Sequence, residues 1–327
     1  MRAVTHDRYG APGAVLGVHD VPVPTPGRGE VLVRVRAVGL NPADVFITTA
    51  RPAFMRLVMG VRRPRTAVRG QDVAGVVEAV GPGVTSVRPG DEVFGETNVG
   101  KGSGTLAEYA TLEAAVLAPK PARLTWAQVA ALPMVGLTAL HAVRAASVGP
   151  GTTMLVNGAS GGVGHMAVQL AKARGARVTA VCSGRNAPML RELGADQVID
   201  YTQEDFTRGS ERWDVILDNV ANHRLRDLRR VLTARGVLLV NNGSRGGRVL
   251  GPLPRMLRAV LYGLVVRQTV KSFSFAPATA DLVALKDLVD GGELTVVVER
   301  TYPLEQAADA LERIAGGHVA GKVVVTL

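Results

Sequence analysis

Cysteine is nearly absent from this sequence: Cys182 is the one cysteine among 327 residues. A single thiol forms no intramolecular disulfide and supplies no cysteine-rich zinc site. The six histidines include no pair at the spacing of metal ligands. These shortages exclude a disulfide-stapled secreted domain, and they favour a cytoplasmic protein that holds no metal.

Aromatic residues and long apolar runs are also scarce. Phe, Trp and Tyr make up 4% of the chain, which supplies few platforms for stacking nucleic-acid bases. No apolar run of roughly 18 residues is free of charge, so a membrane-spanning helix is not expected. Residues 1–5 have the pattern of a strand, so we predict no signal peptide.

Positive charge, by contrast, is in excess. The formal net charge is +10, and arginine outnumbers lysine. A nucleic-acid partner, an anionic membrane surface, or an arginine-rich composition with a site for anionic ligands would each account for this charge. No nucleic-acid motif accompanies it, so we favour the third interpretation and predict no nucleic-acid partner.

A glycine-rich turn at 158–164, Gly-Ala-Ser-Gly-Gly-Val-Gly, is the motif around which the chain is organised. A short apolar run precedes it, and apolar residues at helical spacing follow it. In a strand–turn–helix context such glycines let a phosphate approach the backbone, and the helix N-terminus presents N–H groups to the anion. The motif also fits an ordinary turn of an α/β protein, but this context favours a dinucleotide site.

The two halves of the chain have different periodicity. Up to about residue 120, alternating stretches such as 30–38 and 73–80 are separated by Gly/Pro turns, which predicts a small, β-rich, barrel-like domain. After Thr125, a predicted helix N-cap, strands alternate with helices, which predicts a parallel, doubly wound sheet. The predicted strands of that sheet are 153–156, 177–182, 197–199, 215–218 and 237–240, and the tail adds helices 279–289 and 304–314 and strand 322–325.

The strand predicted at 177–182 is followed by Ser183, Gly184 and Arg185, about twenty residues past the glycine turn. In this fold that position lies beside the adenosine ribose, where an acid selects NAD and hydroxyls with cations accommodate NADP. No acid follows the strand directly, and Ser183 and Arg185 can both donate to a phosphate. We therefore predict NADPH; the alternative is that Ser183 caps the next helix and Arg185 is solvated.

Further motifs are spread over nearly the whole chain: Asn41-Pro42-Ala43-Asp44, 70–77, 104–109, 131–133 with 136–139, 158–164, 193–196 and 321–324. In combination they resemble the medium-chain dehydrogenase/reductase superfamily, specifically its zinc-free quinone-oxidoreductase-like branch of NADPH:quinone and alkenal/enone reductases. The resemblance implies an α/β protein with a GroES-like, β-rich barrel domain and a Rossmann domain with a doubly wound parallel sheet. The implied domains are 1–122 with 275–327 for the barrel and 123–274 for the NADPH-binding part, with the active site in the cleft where they meet. A homodimer is implied as well.

The chain lacks the zinc ligands of the alcohol dehydrogenases in this superfamily. Zinc-dependent members place Cys where Asn41 stands, a His-Glu pair at Gln71-Asp72, and a second Cys near Pro133 or Met134. Without a Lewis acid to lower the pKa of an alcohol, alcohol oxidation is disfavoured. Quinones and α,β-unsaturated carbonyls, which accept hydride without an activated hydroxyl, are the implied substrates.

The resemblance also implies the site residues. Asn41 is implied beside the nicotinamide and substrate, with Asp44 supporting its loop; a plain turn before Pro42 is the alternative for Asn41. The implied cofactor contacts, for which packing, capping or surface roles are the alternatives, are Asn41, Thr138, Ser160, Gly161, Gly162, Val163, Ser183, Arg185, Tyr201, Asn219, Asn242, Gly243, Phe273, Phe275 and Lys322.

One segment, 249–270, stands apart because it is apolar yet carries Arg255, Arg258 and Arg267. It fits an amphipathic helix on a membrane surface, or a helix that lines the substrate site or a subunit contact, and we favour the latter.

The leading hypothesis is a zinc-independent enzyme that transfers hydride from NADPH to a quinone or enone. An oxidoreductase acting on another carbonyl or alcohol, and a non-catalytic NADPH-binding redox sensor, are the alternatives. The glycine turn does not separate the three, because all of them bind the dinucleotide.

Overall fold

The structure is a computed structural model that describes residues 1–53, 55–65, 67–97, 103–241, 267–271 and 276–327. The chain forms two compact units. Unit 1 comprises Met1–Leu137, Ala276–Gly292 and Val296–Leu327, and unit 2 comprises Thr138–Phe275 and Glu293–Thr295. Unit 1 is therefore discontinuous in sequence.

Strands and short helices alternate along the described chain. The strands are β1 (Arg2–Thr5), β2 (Gly17–Asp20), β3 (Glu30–Leu40), β4 (Asp72–Val80), β5 (Glu92–Glu96), β6 (Tyr109–Glu113), β7 (Leu117–Pro119), β8 (Thr153–Asn157), β9 (Arg177–Cys182), β10 (Gln197–Asp200), β11 (Trp213–Asp218), β12 (Leu232–Val240), β13 (Thr269–Lys271), β14 (Val298–Pro303) and β15 (Lys322–Thr326). The helices are α1 (Pro12–Val15), α2 (Pro42–Thr49), α3 (Met55–Met59), α4 (Trp126–Ala130), α5 (Pro133–Ala145), α6 (Gly162–Ala173), α7 (Ala187–Glu192), α8 (Leu225–Arg230), α9 (Thr279–Asp290) and α10 (Ala307–Ala315).

Unit 1 is built on a seven-stranded sheet in the order β14-β15-β3-β4-β5-β7, with β6 also paired to β3. The long strand β3 shows why the sequence folds this way: Val33 and Val35 are buried while Arg34 and Arg36, which alternate with them, are exposed, the period of two expected of a strand with one buried face. The C-terminal strand β15 lies between β14 and β3 and pairs antiparallel with β3, with Val323 opposite Leu40.

Helix α4 belongs to unit 1 because it packs on β3 and β4. Its start is the predicted one: Thr125 and Gln128 form a capping box, in which Gln128 N–H donates to the Thr125 hydroxyl and Thr125 N–H donates to Gln128 Oε1. Residues 123–137 are thus part of the compact unit built around the first sheet, whereas the sequence placed the start of the nucleotide-binding domain at 123.

Unit 2 contains six parallel strands in the order β10-β9-β8-β11-β12-β13. Counted along the chain this is 3-2-1-4-5-6, the order of the doubly wound dinucleotide-binding fold. Its central strands are apolar on both faces; Leu155, Ile216 and Leu238, for example, are fully buried. The predicted α/β fold class is confirmed, and strand order reverses between β8 and β11.

Most predicted elements are confirmed within a few residues. Strand 177–182 is β9, and helix 279–289 is α9. The helix predicted at 304–314 begins as a 3-10 turn, Leu304–Gln306, and continues as α10. Four predicted site residues lie outside the described residues, as does most of segment 249–270; these four are Asn242, Gly243, Phe273 and Phe275. Among the helices that the structure describes, none is long and apolar enough to cross a membrane.

We expect Thr125→Ala to destabilise unit 1 by about 1 kcal/mol, because the substitution removes the acceptor for the Gln128 N–H at the start of α4. Thr125→Ser keeps that acceptor and is the matched control. Urea unfolding monitored by fluorescence of the adjacent Trp126 measures the difference, and equal midpoints for the two variants would contradict the capping role.

Candidate functional site

The glycine-rich turn lies directly after β8, at the point where strand order reverses in unit 2. Gly158 has a positive φ of 77°, and a Cβ there would approach Val220 Cγ2 to 2.6 Å. At Gly164 a Cβ would overlap the carbonyl oxygen of Gly158 and the backbone of Ala159. Glycine is therefore required at both positions: one for the turn itself, one for the close packing of α6 against it.

The N-terminus of α6 fits a phosphate. Its N-cap is Gly161, which makes no side-chain cap, and its first turn contains no acidic residue. The first N–H groups of the helix thus lack the side-chain acceptor that most helices supply, and the macrodipole places partial positive charge there. Ser160, Gly161, Gly162 and Val163 are all partly accessible. The structure brings the four predicted pyrophosphate contacts together at this helix end.

Polar side chains join β8 and β11 at their carboxyl ends, a feature that sequence reasoning missed. Asn157 Nδ2 lies 2.9 Å from both Asp218 Oδ1 and Asn222 Oδ1. The same Asp218 oxygen accepts from the backbone N–H of Ala221 at 3.0 Å. Polar residues at the ends of two neighbouring apolar strands were the available signal, because ligands bind beyond the carboxyl ends of strands where the order reverses.

The predicted residue Asn219 lies at the same edge. Its Oδ1 accepts from Asn241 Nδ2 at 2.8 Å, which fixes the side-chain amide. Its Nδ2 is buried and has no hydrogen-bond partner among the described residues. Because buried donors are normally satisfied, this N–H fits a ligand acceptor. Thr138, in α5, is buried.

Ser183, Arg185 and Tyr201 are brought to one place because β9 and β10 are neighbours. Asp200, at the end of β10, stands opposite Cys182 at the end of β9. Ser183 is half-buried and Arg185 is exposed. Tyr201 is 44% exposed, and its N–H donates to Cys182 O. These three residues lie at one edge of the sheet, where the resemblance implies that the 2′-phosphate and the adenine bind.

An acid does stand near this edge, contributed by the neighbouring strand. The Asp200 carboxylate accepts from the backbone N–H and the hydroxyl of Thr202, at 2.9 and 2.8 Å. Those hydrogen bonds, together with one from the Gly184 N–H, hold the pKa of Asp200 below its usual range. The carboxylate therefore holds the turn after β10 through Thr202 and contacts the loop after β9 through Gly184.

Unit 1 holds a second candidate site, a buried group of polar residues that we call the Lys322 cluster: Asn41, Asp44, Asp72, Glu96 and Lys322. Lys322 Nζ donates to Asn41 Oδ1 at 2.6 Å and to Asp72 Oδ2 at 3.0 Å. Asn41 Nδ2 donates to the same Asp72 oxygen at 2.9 Å. The other Asp72 oxygen accepts from the Met134 N–H at 3.0 Å. Three donors on one carboxyl group favour its ionised, acceptor-only form.

The predicted pair Asn41 and Asp44 is joined at the start of α2. Asn41 is the N-cap, and its N–H donates to Asp44 Oδ2 at 2.8 Å, so the residue is both a turn former and part of the cluster. Gly39, just upstream, is required because a Cβ there would overlap the Ala130 carbonyl and approach Asp72 Oδ2 to 2.9 Å. The tight approach of β3, α4 and β4 creates the cluster.

Burial shifts the titration of its carboxyl groups. Burial raises the pKa of Asp44 to about 7, which the Asn41 N–H opposes and the Asp72 charge augments. It also raises the pKa of Asp72, against the effect of Lys322, and raises that of Glu96 well above its usual range, with the Asp72 charge adding to the shift. Lys322 and Asp72 form a buried ion pair at 3.0 Å, and burial favours the neutral form of Glu96 on the neighbouring strand.

The residues of this cluster do not fit zinc. Asn41, Asp72 and Met134, at the positions where the resemblance implies zinc ligands in metal-dependent members, do come together. Asn41 is an amide rather than a thiolate or an imidazole, and one oxygen of Asn41 and one of Asp72 already accept from the ammonium of Lys322. Within the part of the chain that the structure describes, no three His, Cys, Asp or Glu side chains are arranged to hold a metal ion.

Two family models match the sequence. One, described as an alcohol dehydrogenase GroES-like domain, matches residues 27–122, and one described as a zinc-binding dehydrogenase matches residues 193–325. The chloroplast envelope quinone oxidoreductase homolog of Arabidopsis thaliana is 33% identical over 342 residues, which is 99% of this chain and 98% of that protein. The 2-methylene-furan-3-one reductase of Solanum lycopersicum is 32% identical over 340 residues, 99% of this chain and 79% of that protein.

Solved structures are similar over the full length as well. Escherichia coli quinone oxidoreductase complexed with NADPH has a TM-score of 0.84 and 25% identity, covering 100% of both chains. A protein described as an NAD-dependent alcohol dehydrogenase has a TM-score of 0.85 and 31% identity, also covering 100% of both chains.

The raised pKa of Asp44 predicts a pH dependence of stability. The folded state binds this proton more tightly than the unfolded chain does, so the contribution is fully present below the ordinary pKa of 3.8 and is lost as the pH rises through about 7. Asp44→Asn, which stays neutral, should flatten the fall in the free energy of unfolding between those pH values. Urea titrations across that range measure it. Asp20→Asn, on an exposed position, is the control and should keep the wild-type slope; an unchanged slope in Asp44→Asn would contradict the assignment.

Proposed function

Since the chain belongs to the medium-chain dehydrogenase/reductase superfamily, in its quinone-oxidoreductase-like branch, we propose that it transfers hydride from NADPH to a quinone or an α,β-unsaturated carbonyl without zinc. Membership in this family makes the protein an oxidoreductase. The observation that carries the finer proposal is the Lys322 cluster, in which an ammonium group occupies the place between Asn41 and Asp72. Hydride acceptors that need no metal-activated hydroxyl suit such a site.

The residues of unit 2 fit the cofactor. We propose that the N-terminus of α6, with Ser160, Gly161, Gly162 and Val163, binds the pyrophosphate. When bound, NADPH supplies the hydride from its nicotinamide ring. Asn219 Nδ2, which has no hydrogen-bond partner among the described residues, offers one further donor at the carboxyl edge of the sheet. The contact of Thr138 with the cofactor stays a prediction.

Selectivity for the phosphorylated cofactor is proposed to come from Ser183 and Arg185, with Tyr201 beside the adenine. Arg185 is exposed and can form a bidentate pair with a phosphate. The carboxylate of Asp200, the acid near this edge, accepts hydrogen bonds from Thr202 and Gly184. We therefore assign the contact with the adenosine ribose to Ser183. The name of the similar Escherichia coli enzyme, which was solved with NADPH, supports this choice.

The acceptor class is proposed from the chemistry of unit 1 and from the names of similar proteins. Those names include a quinone oxidoreductase homolog and a 2-methylene-furan-3-one reductase, whose named substrate is an enone. Both acceptor types place negative charge on an oxygen when they receive hydride, and a buried ammonium can stabilise that charge. The homodimer, the cytoplasmic location and the contacts of Asn41 and Lys322 with the cofactor stay predictions.

A second candidate, an oxidoreductase of another carbonyl or an alcohol, is favoured by one observation: a similar structure is described as an NAD-dependent alcohol dehydrogenase. The Lys322 cluster argues against alcohol oxidation, because it has no donor set for a metal that would lower the pKa of an alcohol.

Arg185→Ala should raise the KM for NADPH about 10- to 100-fold, the loss expected for one charge-assisted pair with a phosphate, and should leave the KM for NADH within about 2-fold. Arg177→Ala is the matched control, because Arg177 is exposed at the opposite end of the same strand β9. Steady-state kinetics with both cofactors measure the effect. Equal changes for NADPH and NADH would count against the assignment.

The activity is tested by oxidation of NADPH, followed by absorbance, with a panel of quinones, enals, enones, aldehydes and alcohols. We expect turnover with quinones or enones that is unchanged after treatment with a chelator. Loss of activity on chelation would refute zinc independence. Tight binding of NADPH without turnover of any acceptor would favour a redox sensor, and turnover restricted to alcohols or aldehydes would favour the second candidate.

A further inference from the structure

A buried ammonium with one N–H still open lies at the centre of the Lys322 cluster. The Lys322 side chain is 3% exposed and that of Asp72 is 0% exposed. Nζ has two acceptors in the described part of the chain, Asn41 Oδ1 and Asp72 Oδ2. An ammonium carries three N–H donors, so one remains. Leaving a buried charged donor unmet is unfavourable, so a third acceptor is expected there.

Neighbouring buried groups have open positions as well. Glu96 Oε2 and Asp44 Oδ1 are buried without a hydrogen-bond partner among the described residues, and the charge of Lys322 acts on both carboxyl groups. Glu96 stands opposite Asp72 in the β4–β5 pair, so its carboxyl group belongs to the same face of the sheet. Unmet polar atoms near this ammonium indicate that a polar group of a ligand completes the site.

We propose that the third N–H of Lys322 is directed to the carbonyl oxygen of the hydride acceptor, so that Lys322 is the electrophile and proton donor of the reaction and Asp72 is the residue that positions it. This inference rests on the proposed function, because it requires an acceptor with a carbonyl oxygen.

For an enone, bound NADPH would supply a hydride that forms a C–H bond at the β-carbon. The C=C electron pair would shift, and the negative charge would arrive on the carbonyl oxygen. An N–H bond of Lys322 would break as an O–H bond forms on that oxygen, which gives the enol. The cofactor would be oxidised by the two electrons that the acceptor gains, and neutral Lys322 would take a proton from water. With a quinone, the hydride would form an O–H bond at one carbonyl oxygen, the charge would arrive on the other oxygen as a phenolate, and the proton transfer would be the same.

The charge of the cluster supports this role. Titratable groups whose charges act on the carboxyl groups of the cluster include Asp72 on β4, Glu96 on β5, Asp44 on α2 and Arg69 before β4. Burial favours the neutral form of Glu96 by raising its pKa, and it lowers the pKa of Arg69 to about 10. The Asp72 carboxylate, 3.0 Å from Nζ, fixes the ammonium, which stays able to attract a developing oxyanion.

Asp72 is well suited to hold Lys322 in place because it is itself held from three sides. Its side chain accepts from Asn41 Nδ2 and from the Met134 N–H, and its backbone carbonyl accepts from the Thr105 hydroxyl at 2.8 Å. With the carboxylate fixed by other donors, the ammonium has one position to occupy. Such rigidity is what an electrostatic catalyst requires.

The test uses a single and a double variant to separate catalysis from charge balance. Lys322→Met removes the ammonium but leaves the Asp72 carboxylate buried and unpaired, which destabilises unit 1. Lys322→Met with Asp72→Asn removes both charges and is the variant expected to fold. If Lys322 acts on the acceptor, kcat for the best quinone or enone falls about 100-fold or more in both, as for other proton donors and oxyanion donors. The dissociation constant of NADPH is measured for each variant by fluorescence titration, so that kcat is compared at saturating cofactor.

Recovery of kcat in the double variant would overturn the proposal, because it would show that Lys322 only balances the charge of Asp72. An unchanged kcat in either variant would overturn it as well. Lys322→Arg keeps the charge but is a far weaker proton donor, so it should retain more activity than Lys322→Met and less than the wild type. If the wild-type enzyme turns over none of the quinones and enones, the proposed function and this inference are refuted together. If the wild type turns them over and the variants are unaffected, this inference alone is refuted.

Discussion

The ion pair between Lys322 and Asp72 is the interaction on which the first unit depends. The two residues are 250 positions apart, one at the start of the last strand and one at the start of β4. Removing one partner of a buried pair leaves an uncompensated charge, at a cost of about 3–5 kcal/mol. The C-terminal strand must therefore return and pair with β3, with Val323 opposite Leu40, for the charge of Asp72 to be neutralised. This requirement accounts for the discontinuity of unit 1 along the sequence.

The same pair gives the oxygens of Asn41 and Asp72 an ammonium as their partner. A metal site and an ammonium site both present a positive charge to an oxygen, but they need different surroundings. Zinc needs thiolates, imidazoles or carboxylates in a tetrahedral arrangement, whereas an ammonium needs oxygen acceptors at hydrogen-bond distance, here from Asn41 and Asp72. The amide of Asn41, where zinc-dependent members of the family have a cysteine, thus fits an ammonium as the cation at this place instead of a metal ion.

In the second unit the constraint comes from the topology of the sheet. Strand order reverses between β8 and β11, which opens a crevice beyond their carboxyl ends. At that edge the Asn157 side chain is hydrogen-bonded to those of Asp218 and Asn222. The glycine turn after β8 leads into the N-terminus of α6. The apolar strands supply stability, and the residues immediately after each strand supply the polar groups that fit a dinucleotide.

Local features of the sequence determined much of this protein. Four such features are the glycine turn, the alternation of β3, the cap at Thr125 and the run of strands and helices in the second half. Each depends on residues fewer than about twenty positions apart, so each could be predicted from the sequence.

The tertiary structure decided the rest. Glu96 carries no motif of its own, and it joins Asp72 and Lys322 in one site only because β4, β5 and β15 share one sheet. Asp200 reaches the edge beside Ser183 from a neighbouring strand, although no acid follows β9 itself. Charge pairing depends on distance in space, and a sequence reports that distance only for residues that are close along the chain.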